Sequence, residues 1–355
     1  MPHDSDRSPD APLVAHARRT LHRAARIDDA VQDWRHRRAR KRGDTATVVP
    51  FTGYGSTTWV RVLARVVLTP PKVAAPKKDL DKPDERIRGW RSFTSIPVVE
   101  ADVWVQVGDT KHRVQADRGG VVDVVVTADL APGWQSITLG TEDTEPVEAR
   151  VYIVDPSTRL GVISDVDDTV MVTALPRPFV AAWNTFVLDE HARTPVPGMA
   201  VMLERLTRSH PTVPVIYLST GAWNVAPTLT RFLSRNLYPS GPLLLTDWGP
   251  THDRWFRSGR LHKETNLRRL ADEFPDIRWL LVGDDGQHDE EIYGAFSEER
   301  PEHVAGVAIR QLSPGEAVLA GGRSKPDEHA PSQARWIYAP DGAGLLDRLS
   351  EFDLS

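Results

Sequence analysis

The chain contains no cysteine. That excludes disulfides, a thiolate metal site and a cysteine nucleophile, and it fits a reducing compartment such as the cytoplasm. Long apolar runs are missing too. Stretches such as VVDVVV and RWLLVG have strand length, and none approaches the ~20 residues of a membrane-spanning helix. Peripheral contact is therefore the expected relation to any membrane. The first residues, MPHDSDRSPD, are polar and acidic, so no secretory leader is expected. A surplus of positive charge is also lacking: 44 Lys and Arg stand against 49 Asp and Glu, a formal net charge of −5. That balance argues against a dedicated nucleic-acid binder. The 355 residues, 40% of them hydrophobic, suffice for two globular cores.

Three regions differ in character. Residues 1–47 are rich in Arg and Ala and read as a basic helical segment, with Leu13, Ala17, Leu21 and Ala24 at helical spacing. It ends in Arg35, Arg37, Arg38, Arg40, Lys41 and Arg42, followed by the stop signal Gly43–Asp44. Ten Lys or Arg fall between residues 18 and 42, against Asp28, Asp29 and Asp33. With Leu13, Leu21, Val31 and Trp34 available for one side, this arm is a candidate for an anionic membrane surface. A helix packed on the next region is the competing reading. Residues 48–155 hold short, β-branched, often alternating stretches separated by GD, RGG and PGW, the pattern of an antiparallel β-sandwich or barrel. Residues 156–355 alternate strands and helices, which predicts an α/β unit with a Rossmann-like parallel sheet covered on both faces. Ligands in such sheets lie beyond the carboxyl ends of the strands. Four of these ends are polar: Asp165, Ser219, Asp247 and Asp284.

The chemistry-bearing residues follow these strands. In DVDDT, Asp165 and Asp167 lie just past LGVIS, and Asp168 between Asp167 and Thr169 reads as a solvated residue. In GDDGQHDEE, Asp284 ends RWLLVGD and Asp289 follows five residues later. Each cluster alone reads equally well as an acidic turn or an acid-decorated helix start. Together, on neighbouring strands, they would hold one hard cation by oxygen ligands, which suits Mg²⁺. Ser219 ends PVIYLS, where a helix-capping role is the bland alternative. Lys263 starts the predicted helix HKETNLRRL. A surface lysine is the usual reading, yet from residue 112 onward only Lys263 and Lys325 are lysines in an Arg-biased chain. An ammonium point charge at a phosphoryl group is one reason to retain it.

These four pieces, in this order, resemble the four motifs of the haloacid dehalogenase superfamily over roughly residues 158 to 312. More narrowly, DVDDT, LSTGAWNVAPTL, LLLTDWG, LHKETNL and GDDGQHDEEIY resemble the phosphatidate phosphatases of the yeast actin-patch type. That family's second motif runs Ser-x-Ser-Pro-Trp, whereas here it is Ser219, Thr220, Gly221, Ala222, Trp223; Asp285 stands where its fourth motif has Ser. The resemblance implies a Mg²⁺-dependent phosphatase with Asp165 as nucleophile and Asp167 as general acid and base. Ser219 and Lys263 would bind the phosphoryl oxygens. The metal would be held by Asp165, Asp284 and the backbone carbonyl of Asp167, with Asp289 orienting the metal shell and Thr169 bracing the turn.

An acid at position 167 points, within that superfamily, to phosphatases and phosphomutases. Only about 43 residues separate Thr169 from Val213, so any lid is minimal, one helix carrying Phe179, Trp183 and Phe186. An open site suits a large substrate, and phosphatidate at a membrane surface is the expected one. Two alternatives remain: the same chemistry on a soluble phosphomonoester or phosphoprotein, and a non-catalytic interaction protein. Oligomeric state carries no signature in the sequence.

Overall fold

The structure, a computed structural model, describes residues 34, 36–70, 96–172, 193–246, 252–286, 288–319 and 334–350.

The β-rich unit begins at Thr45, three residues before its expected start. Its strands are β1 (Thr45–Pro50), β2 (Gly53–Ser56), β3 (Trp59–Thr69), β4 (Ile96–Pro97), β5 (Asp102–Val107), β6 (Thr110–Gln115), β7 (Val121–Thr127), β8 (Gly133–Gly140) and β9 (Val147–Ile153). They hydrogen-bond as one sheet in the order β1-β3-β2-β9-β8-β5-β6, with β4 and β7 also on β3. The expected antiparallel sandwich is corrected in two respects: there is a single nine-stranded sheet, and β2 and β9 run parallel. The reason is β3. Its 11 residues are long enough to pair with β1 and β2 and also with β7 and β4. Inward residues of β5 (Val103, Val105) and β7 (Val122, Val126) share one core with Val60 and Val62 of β3. The sheet therefore folds over onto itself, and the period-two alternation of β5 marks the inner face.

The basic segment enters this core. Helical residues up to Lys41 precede the unit, Ala39 is fully buried in its core, and Arg40 donates to Asp143 at 2.6 Å.

The α/β unit holds β10 (Leu160–Asp165), β11 (Met171–Val172), β12 (Thr194–Pro195), α1 (Met199–Ser209), β13 (Val215–Ala222), α2 (Ala226–Arg235), β14 (Leu243–Thr246), α3 (His252–Glu273), β15 (Arg278–Asp284), α4 (Asp289–Glu299), β16 (Val304–Arg310), α5 (Pro314–Leu319), β17 (Trp336–Ala339) and α6 (Gly342–Leu349). Six strands form a parallel sheet, β14-β13-β10-β15-β16-β17. All six residues of β10 are buried, as a central strand covered on both faces requires. From β10 the chain builds outward first to β13 and β14, then crosses back to β15. Right-handed crossovers in opposite directions put their helices on opposite faces. The β10/β15 boundary is thus the switch point where such sheets open a crevice. Strand β17 and helix α6 lie past the last expected strand. The ribbon β11–β12 brackets residues 173–192. The expected lid helix with Phe179, Trp183 and Phe186 falls there, outside the described residues, as does Asp247.

The two units share a core. Tyr54, Leu63 and Val121 of the β-rich unit join the apolar cluster of the parallel sheet. An aromatic seam runs Tyr54–Trp59–Phe274–Trp279, with centroid separations of 6.2, 5.4 and 6.1 Å. Among the described residues no helix is long and apolar enough to cross a membrane.

Candidate active site

The strand register converges the motifs. Asp165 pairs with Leu218 on β13, which puts Ser219 one residue further along. On the other side Ser164 pairs with Val282, two residues short of Asp284. After β10 the chain turns sharply. Asp168 takes a left-handed conformation with φ 57°, and its amide donates to the Met171 carbonyl at 2.8 Å. This tight loop brings Asp167 back over the strand end, where its Oδ2 accepts from Ser219 Oγ at 3.0 Å. The Gly221 amide donates to the same hydroxyl oxygen at 3.0 Å, which orients it. Thr169 is fully buried and reaches Asp284 Oδ2 at 3.5 Å.

Lys263 does not start its helix, as the sequence suggested; it lies midway along α3. The helix starts at His252 rather than at His262 and runs on through Gly259. From there the ammonium lies 2.6 Å from Asp165 Oδ1 and 2.5 Å from Asp289 Oδ1. Asp289 was expected behind the metal ligands. Its carboxylate instead groups directly with those of Asp165 and Asp284, ligand oxygens within 4.8 Å of one another. Gly283 makes this possible: a Cβ there would lie 2.6 Å from Asp289 Oδ2.

Asp165, Thr169, Ser219, Lys263, Asp284 and Asp289 are buried and Asp167 is half-buried, and the electrostatics follow from that. Burial raises the Asp165 carboxyl well above its usual range; the Lys263 ammonium opposes this, and Asp289, Asp167 and Asp284 reinforce it. Burial and then Asp289 and Asp168 raise Asp284 likewise. Asp167 is pushed up to about 7, chiefly by burial, against the Ser219 hydrogen bond. For Lys263, burial works against the charge, but Asp165 and Asp289 outweigh it and hold the ammonium charged. Four carboxylates thus crowd one ammonium, and a second cation would relieve them. Asp167 Oδ1 is buried with no hydrogen-bond partner among the described residues. An all-oxygen donor set with excess negative charge fits a hard divalent ion.

Sequence reasoning missed Arg310. It ends β16, directly opposite Asp284, and is buried. Its Nη1 donates to the Asp168 carbonyl at 2.6 Å, which pins the left-handed turn. The strand-end argument that found Asp284 would have found it one strand over. Asp285 ties β15 to the same neighbour, accepting from the Leu312 amide at 2.7 Å. The basic residues proposed for a membrane lie elsewhere, on the helix end at the β-rich unit. Arg37, Arg38 and Lys41 are exposed, Arg40 and Arg42 pair with Asp143 and Asp44, and Arg35 lies outside the described residues.

Residues 160–311 match the family model described as the catalytic domain of phosphatidate phosphatase APP1. The chain is similar to phosphatidate phosphatase APP1 of Saccharomyces cerevisiae, 24% identical over 250 residues that cover 65% of this chain and 40% of that protein. It is also similar to an uncharacterised protein of Schizosaccharomyces pombe, 24% identical over 155 residues, 43% of this chain and 25% of the other. The chain thus matches less than half the length of either relative. Among solved structures, the HAD domain of effector protein Lem4 from Legionella pneumophila overlaps 46% of this chain and 92% of its own, at 14% identity and a TM-score of 0.29.

Proposed function

We propose, on the premise that residues 160–311 belong to the haloacid dehalogenase-type family of APP1 catalytic domains, that this protein is a phosphoric monoester hydrolase acting on phosphatidate. One observation carries the reading: Lys263 is lodged between Asp165 and Asp289, while Asp167 is aligned beside them by Ser219. This arrangement supports an in-line phosphoryl transfer. An Asp165 oxygen attacks phosphorus, and the bond from phosphorus to the ester oxygen breaks. Asp167, its carboxyl raised to about 7 chiefly by burial, gives its proton to the departing alkoxide. It then takes a proton from the water that attacks the aspartyl-phosphate, releasing phosphate and restoring Asp165. Lys263 and Ser219 stabilise the phosphoryl oxygens in both steps. Asp165, Asp284, Asp289 and the Asp167 backbone carbonyl would hold Mg²⁺. When bound, the ion neutralises charge on the phosphoryl oxygens.

The departures at Gly221, Ala222 and Asp285 favour keeping a second substrate class in view, a soluble phosphomonoester or phosphoprotein with unchanged chemistry. Exposed Arg37, Arg38 and Lys41 support peripheral contact with an anionic lipid surface. A phosphate-release assay with phosphatidate, lysophosphatidate, small phosphomonoesters and a phosphopeptide, with and without Mg²⁺, tests the reading. Phosphatidate should be turned over fastest; no release from any of them would refute the hydrolase assignment.

A further inference from the structure

Helix α3 is gripped along two adjacent stripes. Lys263, Leu267, Leu270 and Phe274, at spacings of four, three and four, face the parallel sheet and are buried. The stripe one residue earlier, His262, Asn266, Arg269 and Glu273, is turned by about 100°, and its last two members bond to the β-rich unit. There Arg61 Nε donates to Glu273 Oε1 at 2.9 Å, and Tyr54 Oη donates to Glu273 Oε2 at 2.8 Å. Asp123 takes Arg61 on one oxygen at 2.5 Å and Arg269 on the other at 2.8 Å. These links tie the helix to the β-rich unit.

Apolar packing joins them only at the end of the helix, where Phe274 lies against Tyr54 and Trp59. Beside the links the two units leave a cavity of about 390 Å³, bounded by Val121, Asp123, Trp223, His262 and Arg269. Around this cavity the contacts between helix and β-rich unit are the polar bonds of Arg61, Asp123, Arg269 and Glu273. The sheet side gives little slack: at Gly259, one turn before Lys263, a Cβ would meet the Thr220 methyl at 3.0 Å, right beside Ser219. A second contact from the β-rich unit reaches the same motif, where Phe51 stacks on Trp223 at 4.8 Å.

We propose that the β-rich unit positions the catalytic ammonium: Arg61 and Asp123 fix the rotation of α3 and so hold Lys263 between Asp165 and Asp289. This rests on the phosphatase reading for the role of Lys263, though not for its placement. Arg61 and Asp123 are positioning residues and touch no substrate.

The test uses full-length Asp123→Asn, Asp123→Glu and Glu273→Gln, with Asp102→Asn as a control. Asp102 pairs with Arg113 on an exposed part of the same unit. Two readouts are needed: kcat and KM on a soluble phosphomonoester with Mg²⁺, and the acetylation rate of Lys263 relative to exposed Lys111, followed by mass spectrometry. Asp123→Asn should lower kcat about 10-fold, as small misplacements of catalytic groups do, with a lesser change in KM, and Lys263 should be acetylated several-fold faster. Asp123→Glu should recover most of both, and Asp102→Asn should match wild type. A folded Asp123→Asn with wild-type kcat and wild-type acetylation overturns the proposal. Should Asp123→Asn not fold, Glu273→Gln decides by the same two readouts. If no wild-type turnover is found, the phosphatase reading fails, and the acetylation rates still decide whether Lys263 is positioned from across the interface.

Discussion

Two clusters of charge flank α3, one partly exposed and one buried, and they differ in balance. Between the units, Arg61 and Arg269 face Asp123 and Glu273, two cations against two anions, each with a partner within hydrogen-bonding distance. In the site, Asp165, Asp167, Asp284 and Asp289 crowd the single ammonium of Lys263. The same side chain answers in opposite directions. For Asp123, burial works to raise the carboxyl, but Arg269 and Arg61 prevail and hold it below its usual range. For Asp165, burial prevails and the carboxyl rises. A cluster closed on itself fixes structure; one with unmet charge is prepared for a ligand that brings the rest.

The largest expected effect would break the acidic side of this contrast. Asp165→Asn should abolish turnover and any phosphoenzyme, and Asp167→Asn should lower kcat by ~10²–10⁴-fold. Rapid-quench assays with labelled substrate would check both, and near-normal Mg²⁺-dependent turnover by Asp165→Asn would exclude the covalent route. Next comes the missing charge itself. Mg²⁺ at a hundredfold excess over its Kd should stabilise the wild type by ~2.7 kcal/mol, read as a rise in Tm that EDTA reverses. Asp284→Ala should lose that rise, and a Tm indifferent to Mg²⁺ would mean that the acids hold no such ion.

A smaller effect sharpens the comparison by its sign. In metal-free protein, Asp284→Asn should raise stability by ~1 kcal/mol, the worth of roughly one pKa unit of relieved repulsion. Asp123→Asn should lower it by ~1–2 kcal/mol, because two guanidiniums lose their shared anion, less than for a fully buried pair since Asp123 keeps about a third of its exposure. Urea unfolding curves distinguish the two, and a shared sign would erase the distinction. The pH dependence follows. The folded Asp123 carboxyl lies below its ordinary 3.8, so its stabilisation is complete above that value and fades as pH falls through the folded pKa. Asp123→Asn should therefore lose less stability than wild type on acidification through that window. The smallest expected effect concerns the arm. Removing residues 1–44 should weaken co-sedimentation with phosphatidate-containing vesicles at low salt, each exposed basic residue contributing up to ~1 kcal/mol. Equal binding by both forms would leave Arg37, Arg38 and Lys41 without a membrane role.

Much of the site was legible because its parts are local. A buried parallel strand reads as an unbroken apolar run, so DVDDT after LGVIS and GDDG after RWLLV declare themselves as strand ends. Arg310 was missed because the sequence places the last strand over VAGVAIRQL, two residues past its true end at Arg310. The start of α3 was placed ten residues late, at His262 rather than His252; in the fold the helix passes through Gly259, whose lack of a side chain lets it lie against Thr220. The single sheet of the β-rich unit was not foreseen, since pairing along both halves of β3 joins stretches far apart in the chain.

By itself the sequence determined the order of strands and helices, the strand-end carboxylates and the choice of an oxygen-only, acid-rich site. These follow from periodicity and residue chemistry within a few positions. Only the tertiary structure decided which charges cancel. Arg61 meets Glu273 across 212 residues, Arg269 meets Asp123 across 146, and Arg310 reaches the Asp168 carbonyl across 142. Periodicity describes one element at a time. Whether a buried carboxylate is neutralised or left short of a cation depends on what the packing of different elements brings within a few ångströms.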